Sequence, residues 1–264
     1  MPSLKIISLN TWKCDGEYEE RIGYMASELE KIKPDIITLQ ECFRTEDGET
    51  DTLGFLGSKL QMKSNFIPGR FKKRLFNQAW VDSYSDLGIL TRYPFSKIKE
   101  YSLPGVPKDP DRKVQMASID LPGSSPFLLV NTHLTHISTI PNLKKSQLDG
   151  LSDFIQKNLN DYPFALVCGD FNSLIDSEEL VEFISKNQAI DSYKAGNGQE
   201  PRNSLVDAFK VGKNYAVDHI FYIPNPKNTL SKRFIESKMV LNIPEPYSGI
   251  YPSDHFGIFT HIEF

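Results

Sequence analysis

Six segments of the chain end or begin an apolar run with side chains that can bind a cation or move a proton. "IISLN" stops at Asn10, "IITLQE" at Gln40 and Glu41, and "LLVNTHL" carries Asn131 and His133. "ALVCGDFNS" delivers Asp170 and Asn172, "YAVDHIFY" holds Asp218 and His219, and "YPSDHFGIF" brings Ser253, Asp254 and His255 ahead of a further apolar run. Strand ends suit chemistry because a sheet holds them rigidly while the adjoining loops admit a ligand. Taken singly, each residue has an ordinary structural explanation: a turn asparagine, a solvated glutamate, a hydrogen-bonded core histidine, an Asx turn for Asp170 with Asn172. Taken together, they would line one oxygen-rich pocket able to hold a metal.

The elements that must position these groups follow from hydrophobic pattern. Runs rich in Ile, Val, Leu and Phe predict strands at 4–9, 35–40, 87–91, 115–121, 127–132, 164–168, 217–223 and 256–262. Several are apolar almost throughout, as strands covered on both faces would be. Helices are expected between them. Tyr18, Ile22, Met25, Leu29 and Ile32 recur at helical spacing before Pro34, and Leu143, Leu148, Leu151, Phe154, Ile155 and Leu159 form a second stripe. "SEELVEFISKN" is a third, with Ser177 in the N-cap position. The stretches 69–78 and 99–113 read as loops, being rich in charge, Gly and Pro. Early alternation of helix and strand, with strands running together later, predicts an α/β sandwich in one domain spanning 1–264.

Composition narrows the class. The 264 residues are 39% hydrophobic and 24% charged, which is ordinary for a globular protein. A net charge of −4 gives no global pull toward nucleic acid or anionic membrane, though a local basic surface is compatible with it. Cys14, Cys42 and Cys168 are odd in number and lack metal-type spacing. With no signal-peptide pattern and no run of membrane-spanning length, the expectation is a cytoplasmic protein without stable membrane association or obligate protein partner.

The ordered series Asn10, "LQE" with Glu41, "NTHL" with His133, "GDFN" with Asp170 and Asn172, "VDHIF" with Asp218, and "SDH" with Asp254 and His255 resembles the endonuclease/exonuclease/phosphatase superfamily. That superfamily includes deoxyribonuclease I-like enzymes, repair nucleases, neutral sphingomyelinases, inositol polyphosphate phosphatases and 5′-tyrosyl-DNA phosphodiesterases. The resemblance runs from Asn10 to His255 and implies a four-layered α/β sandwich, two packed mixed β-sheets flanked by helices. It also implies a phosphoesterase dependent on Mg²⁺, with Mn²⁺ able to stand in. In this reading Glu41 is the direct metal ligand, Asn10 orients the surroundings of the ion, and Asp254 supports a second or outer-sphere position. Asp170 can accept a proton from water, and Asn172, on the same face of an extended backbone, can hold the nucleophile or a phosphate oxygen. His255, paired with Asp218, either binds the phosphate as imidazolium or serves as the base, and His133 offers another donor. One departure is Trp12, where some relatives carry an Asp; Asp15 lies farther on and is not equivalent to it.

For substrate binding, "GRFKKRLFNQAW" interleaves Arg70, Lys72, Lys73 and Arg74 with Phe71, Phe76 and Trp80. Cations for backbone phosphates and aromatics for bases are the pattern of a single-strand binder. The same pattern fits a solvated loop anchored by its aromatics. The expectation is a phosphodiesterase slightly favouring nucleic acid, either as a nuclease or on 5′ adducts. Phospholipid, sphingomyelin or inositol-phosphate hydrolysis is the alternative, and an inert binding module is the rival from another class.

Overall fold

The computed structural model describes residues 2–198, 203–228 and 230–264. The first elements are β1 (Ser3–Asn10), α1 (Tyr18–Ile32), β2 (Ile36–Thr45), α2 (Thr52–Leu60), β3 (Lys63–Ile67), β4 (Lys72–Phe76) and β5 (Ala79–Thr91). Next come β6 (Phe95–Ser102), β7 (Lys113–Ile119), β8 (Phe127–His133), α3 (Leu143–Leu159), β9 (Phe164–Asp170) and α4 (Glu178–Asn187). The remainder is β10 (Ile190–Asp191), α5 (Ser192–Asn197), α6 (Val206–Lys210), β11 (Asp218–Pro224), β12 (Arg233–Val240) and β13 (Gly257–Glu263).

All eight expected strands and all three expected helices form. In α1 the residues at helical spacing, Tyr18, Ile22, Met25 and Leu29, are buried, and Lys33 ends the helix in a left-handed conformation just before Pro34. Ser177 does occupy the N-cap of α4, but its side chain makes no cap hydrogen bond. The acidic first turn, Glu178 and Glu179, complements the helix dipole instead. The stretch 69–78 is not a loop. It holds β4, joined to β5 by Asn77 and Gln78, both at positive φ (47° and 64°), the two-residue turn that suits strand twist. Also unanticipated, β6 and β12 are sheet edges with mostly exposed side chains, so they lack the apolar run that marks a central strand.

The strands form two sheets. The seven-stranded sheet runs β12-β13-β1-β2-β5-β3, with β4 added to β5, and the six-stranded sheet runs β10-β11-β9-β8-β7-β6. Each is mixed: β1 pairs with β2 in parallel, as β8 does with β9, amid antiparallel neighbours. Period-two alternation then sorts the side chains into layers. Leu4, Ile6 and Ile89 of one sheet meet Leu129, Leu166 and Cys168 of the other in the central layer. Ile7, Leu9 and Leu39 face outward onto α1 and α2, and Val130, Ala165 and Val167 face outward onto α3 and α4. Both faces are covered, which is why these strands read as continuously apolar. The expected four-layered sandwich is the one observed.

Toward one end the interface between the sheets turns polar. Gln40 Nε2 donates to Asn131 Oδ1 at 2.8 Å, and Asn131 Nδ2 donates to the carbonyls of Leu39 and Gly88 and to Gln115 Oε1. Gln115 Nε2 continues to Asn65. This buried relay fixes the two sheets against each other directly beneath the strand ends.

Two further residues set the backbone there. Gly169 lies opposite Thr132 of β8, and a Cβ on it would stand 2.1 Å from the Thr132 carbonyl oxygen. Arg21 is 1% exposed and emerges from the apolar side of α1. Its guanidinium donates to the carbonyls of Thr11, Trp12, Lys13, Asp15 and Pro252, while the Trp12 ring stacks over it at 4.7 Å. Trp12 and Lys13 are both at positive φ (57° and 44°), an uncommon conformation for side-chain-bearing residues that Arg21 holds in place. Sequence reading missed Arg21 because an arginine in a helix is ordinarily a solvated one. Its spacing, three residues after Tyr18 and four before Met25, is the signal that places it on the buried stripe.

Gly169→Ala is expected to lose more than about 3 kcal/mol in urea unfolding, since a backbone carbonyl cannot yield as a side chain can. Arg21→Lys is expected to cost about 2–4 kcal/mol by the same measurement, because one ammonium cannot serve carbonyls on two sides of a planar fork.

Candidate active site

The two parallel pairs run in register toward one end of the sandwich, and there they release their polar residues. β1 ends at Asn10 and β8 at His133, while β9 ends at Asp170. β11 and β13 run antiparallel to their neighbours, so their beginnings lie at that same end, bringing Asp218 and, just ahead of β13, Asp254 and His255. Glu41 arrives differently. The β2–β5 register slips between Leu39 and Cys42, and Glu41 sits in this bulge at φ 56°. A bulge re-aims a side chain out of the alternating pattern. Thr11 Oγ1 secures it by donating to the carbonyls of Gln40 and Glu41.

Asp170 is the centre of the arrangement and is 1% exposed. Its Oδ2 accepts from Asn10 Nδ2 at 3.1 Å, and its Oδ1 accepts from the Asn172 backbone N–H at 2.9 Å. His133 Nε2 and His255 Nε2 approach Oδ2 to 3.3 and 3.9 Å. On its other side His255 Nδ1 donates to Asp218 Oδ2 at 2.9 Å. Burial and the nearby Asp218 carboxylate push the Asp170 carboxyl upward, against His255, Asn172 and Asn10, which pull it down. Burial opposes charge on His255, yet Asp218, with Asp170 and Asp254, carries its imidazole up to about 10. Burial also holds His133 well below the ordinary histidine value, assisted by Arg112, His255, Lys13 and His136. The approach of His133 to Asp170 is therefore that of a neutral ring, not an ion pair.

The residues expected to hold a metal lie beside this group. Glu41 is close enough to Asp254 that, after burial, its charge contributes to raising the Asp254 carboxyl. Two acidic groups crowded in this way make an oxygen donor set of the kind a hard divalent ion takes, while the Asn10 amide gives Nδ2 to Asp170 and accepts the Trp12 backbone N–H on Oδ1. Lys13 Nζ lies 2.8 Å from Glu41 Oε2. Asp170, Asp218 and His255 also offer ligand atoms within 4.8 Å of one another, a second acid/His cluster able to chelate. In that cluster, however, the Asp170 and His255 atoms are already engaged with each other, with Asp218 and with the asparagines.

A cavity of about 210 Å³ opens from Glu41 and His133 between the two sheets. Lys13, Arg70, Lys72, Arg74, Arg112 and Lys113 line it against only Glu41, Asp109 and Asp111, so it is cationic within an acidic chain. Burial and the cations Arg74, Arg70 and Lys13 together pull the Lys72 ammonium down. Arg112 Nε donates to both carboxylate oxygens of Asp109. Strand alternation corrects part of the sequence reading. Lys72 faces the cavity, but Lys73 points to the opposite face of the hairpin and pairs with Asp82 at 2.9 Å. Arg74 lines the cavity but is buried, its guanidinium donating to the carbonyl and hydroxyl of Ser83 and to the Arg70 carbonyl.

Asn172 differs too. It is not on extended backbone sharing a face with Asp170; at φ 49° it closes an Asx turn on Asp170 Oδ1, and its own Nδ2 donates to the Leu134 carbonyl. His219 packs on the other face of β11, with Nε2 at 2.9 Å from the Ser173 carbonyl, in keeping with a structural role. Lys13, Arg112, Lys113 and His136 were not singled out in the sequence. The basic doublet Arg112-Lys113 opens β7, and because β7 is antiparallel to β8, its beginning lies beside His133. Polar residues at strand beginnings carry that signal as well as those at strand ends.

Comparison with known proteins gives the arrangement its kinship. Among curated proteins none matches the chain. A humanized TDP2 of D. rerio superposes with a TM-score of 0.77 at 18% identity, over 99% of each chain. The human Nocturnin catalytic domain, with a bound sulfate anion, gives 0.75 at 19% identity, over 100% of this chain and 95% of that one. D. rerio TDP2 complexed with a single-strand DNA product gives 0.73 at 18% identity, over 99% of each chain. At these identities the likeness establishes the fold alone. The sequence profile of the Endonuclease/Exonuclease/phosphatase family matches residues 7–255, and the chain belongs to that family of generally metal-dependent, hydrolytic phosphoesterases.

Proposed function

We propose that the chain is an Mg²⁺-dependent phosphodiesterase acting on nucleic acid, as a nuclease or on a 5′ adduct, with Mn²⁺ able to replace Mg²⁺. The observation that carries this reading is the junction of three features: the Asp170–His255–Asp218 group, the Glu41–Asp254 donors beside it, and the cationic cavity leading away. When bound, the divalent ion supplies Lewis-acid stabilisation of the phosphoryl oxygens. We assign Glu41 to it as direct ligand, with Asn10 and Asp254 completing its surroundings. Asp170 receives one proton of the attacking water as the water oxygen bonds to phosphorus, and the ester P–O bond breaks with its electron pair leaving on the ester oxygen, which solvent then protonates. His255 has a carboxylate facing each ring nitrogen, which favours the doubly protonated ring and makes it the phosphate-neutralising group. Asp218 fixes its orientation. His133, neutral, offers an N–H donor, and Asn172 positions Asp170 through its backbone N–H.

The preference for nucleic acid rests on Arg70 and Lys72 lining the cavity, and on the single-strand DNA product carried by one structural relative. No helix among the described residues is long and apolar enough to cross a membrane. Cys14, Cys42 and Cys168 are buried free thiols, which accords with a reducing compartment, and we place the enzyme in the cytoplasm.

Wild type should hydrolyse bis-p-nitrophenyl phosphate in a Mg²⁺-stimulated reaction, and Glu41→Ala and His255→Ala should each lower kcat by at least about 100-fold. If wild type is as inert as both variants across metals and natural substrates, an inert binding module becomes the better reading. A panel of single-stranded DNA, RNA, 5′ adducts, sphingomyelin and inositol phosphates separates nucleic acid from the lipid and sugar-phosphate alternatives. In salt titrations of single-stranded DNA binding, the double variant Arg70→Gln/Lys72→Gln should flatten the log–log slope by about one per cation removed. An unchanged slope would mean that the nucleic acid runs elsewhere.

A further inference from the structure

Lys13 places a cation where the site is otherwise acidic. Its ammonium lies 2.8 Å from Glu41 Oε2 and 3.6 Å from Asp15 Oδ2, and Asp254 is the next acidic group within electrostatic reach. The base of the side chain is tethered: the Lys13 backbone N–H donates to the Glu41 carbonyl at 3.2 Å, and Arg21 takes the carbonyls of Trp12 and Lys13. From that fixed root the flexible four-carbon stem can swing. Lys13 lines the cavity together with Arg70, Lys72 and Arg112, so one end of its arc meets Glu41 and the other faces the space where an anion is wanted.

We propose that Lys13 is a built-in counter-cation for the metal position: the ammonium and a divalent ion compete for Glu41, and the displaced ammonium turns into the cavity to meet an anionic group of the substrate. The inference rests on the assignment of Glu41 to the metal. A divalent ion on the same carboxylate would stand within a few ångströms of the ammonium, a strong repulsion at protein dielectric. The two cannot share the oxygen. Without a metal, Lys13 spares Glu41 and Asp254 their mutual repulsion; with one, it needs a new partner. A phosphate in the cavity is such a partner, so metal and anion bind with positive coupling, each easing entry of the other. The chain's metal affinity is thereby low until an anionic ligand is present.

Isothermal titration calorimetry of Mg²⁺ and Mn²⁺ into the full chain tests this, at fixed ionic strength, with and without inorganic phosphate. Lys13→Met should bind either ion about tenfold more tightly than wild type in the absence of phosphate, whereas Lys13→Arg, which keeps the charge, should not. Added phosphate should tighten metal binding more for wild type than for Lys13→Met. Should Lys13→Met fail to fold by circular dichroism, Lys13→Gln makes the same charge change with a polar head. Equal or weaker metal binding by the neutral variants, with Glu41→Gln binding more weakly than wild type, would overturn this inference and leave the metal assignment standing. If Glu41→Gln binds as well as wild type, or if wild type binds neither ion, the assignment of Glu41 fails and the role of Lys13 fails with it.

Discussion

Asp170 carries its carboxylate where bulk water does not reach, and it can do so only because donors converge on it from both sheets. Asn10 comes from the end of β1 in one sheet and the Asn172 amide follows β9 of the other, while His133 and His255 approach the same carboxylate. An ionised carboxylate stripped of such partners costs several kcal/mol to keep buried. The relative position of the two sheets is therefore part of the site, and the Gln40–Asn131–Gln115 relay beneath it maintains that position. The apolar central layer supplies cohesion without direction. The polar layer above it supplies register.

Two parallel strand pairs give the design its economy. In each, neighbouring strands run the same way, so Asn10 lies level with Gln40 beside the Glu41 bulge in one pair, and His133 lies level with Asp170 in the other. Antiparallel β7, β11 and β13 contribute through their beginnings. Arg21 then ties the loop after β1 to Pro252, ahead of β13, joining residues from opposite ends of the chain. A wide span of sequence thus closes on a region a few side chains across.

Much of this is legible in the sequence. Strands covered on both faces announce themselves by unbroken apolar runs, and the polar residue that ends such a run, as at Asn10 or Asp170, stands out against it. Edge strands carry no such contrast. β4 reads as a charged loop because Lys72 and Arg74 alternate with Lys73 and Leu75, and only the pairing with β5 reveals which face each side chain takes. Asn172 departs from its expected face for a related reason: period-two alternation holds within a strand, and β9 ends at Asp170. Lys13 is not legible because its place depends on a left-handed turn, and Arg21 shows only through its spacing on the buried stripe of α1, since the carbonyls it serves are not written in residue type.

The hairpin of β4 and β5 has one more consequence. β4 hangs on β5 outside the main order of its sheet, and the hairpin's outer face meets solvent through Leu75 of β4 and Trp80 of β5. Replacements at Arg70 and Lys72 would disturb no packed layer, whereas replacements at Asp170, Gly169 or Arg21 would. Natural variation can therefore rewrite this wall of the cavity while leaving the buried Asp170–His255–Asp218 group intact. Lineages descended from such a chain could reshape what the cavity admits many times without rebuilding the centre beneath it.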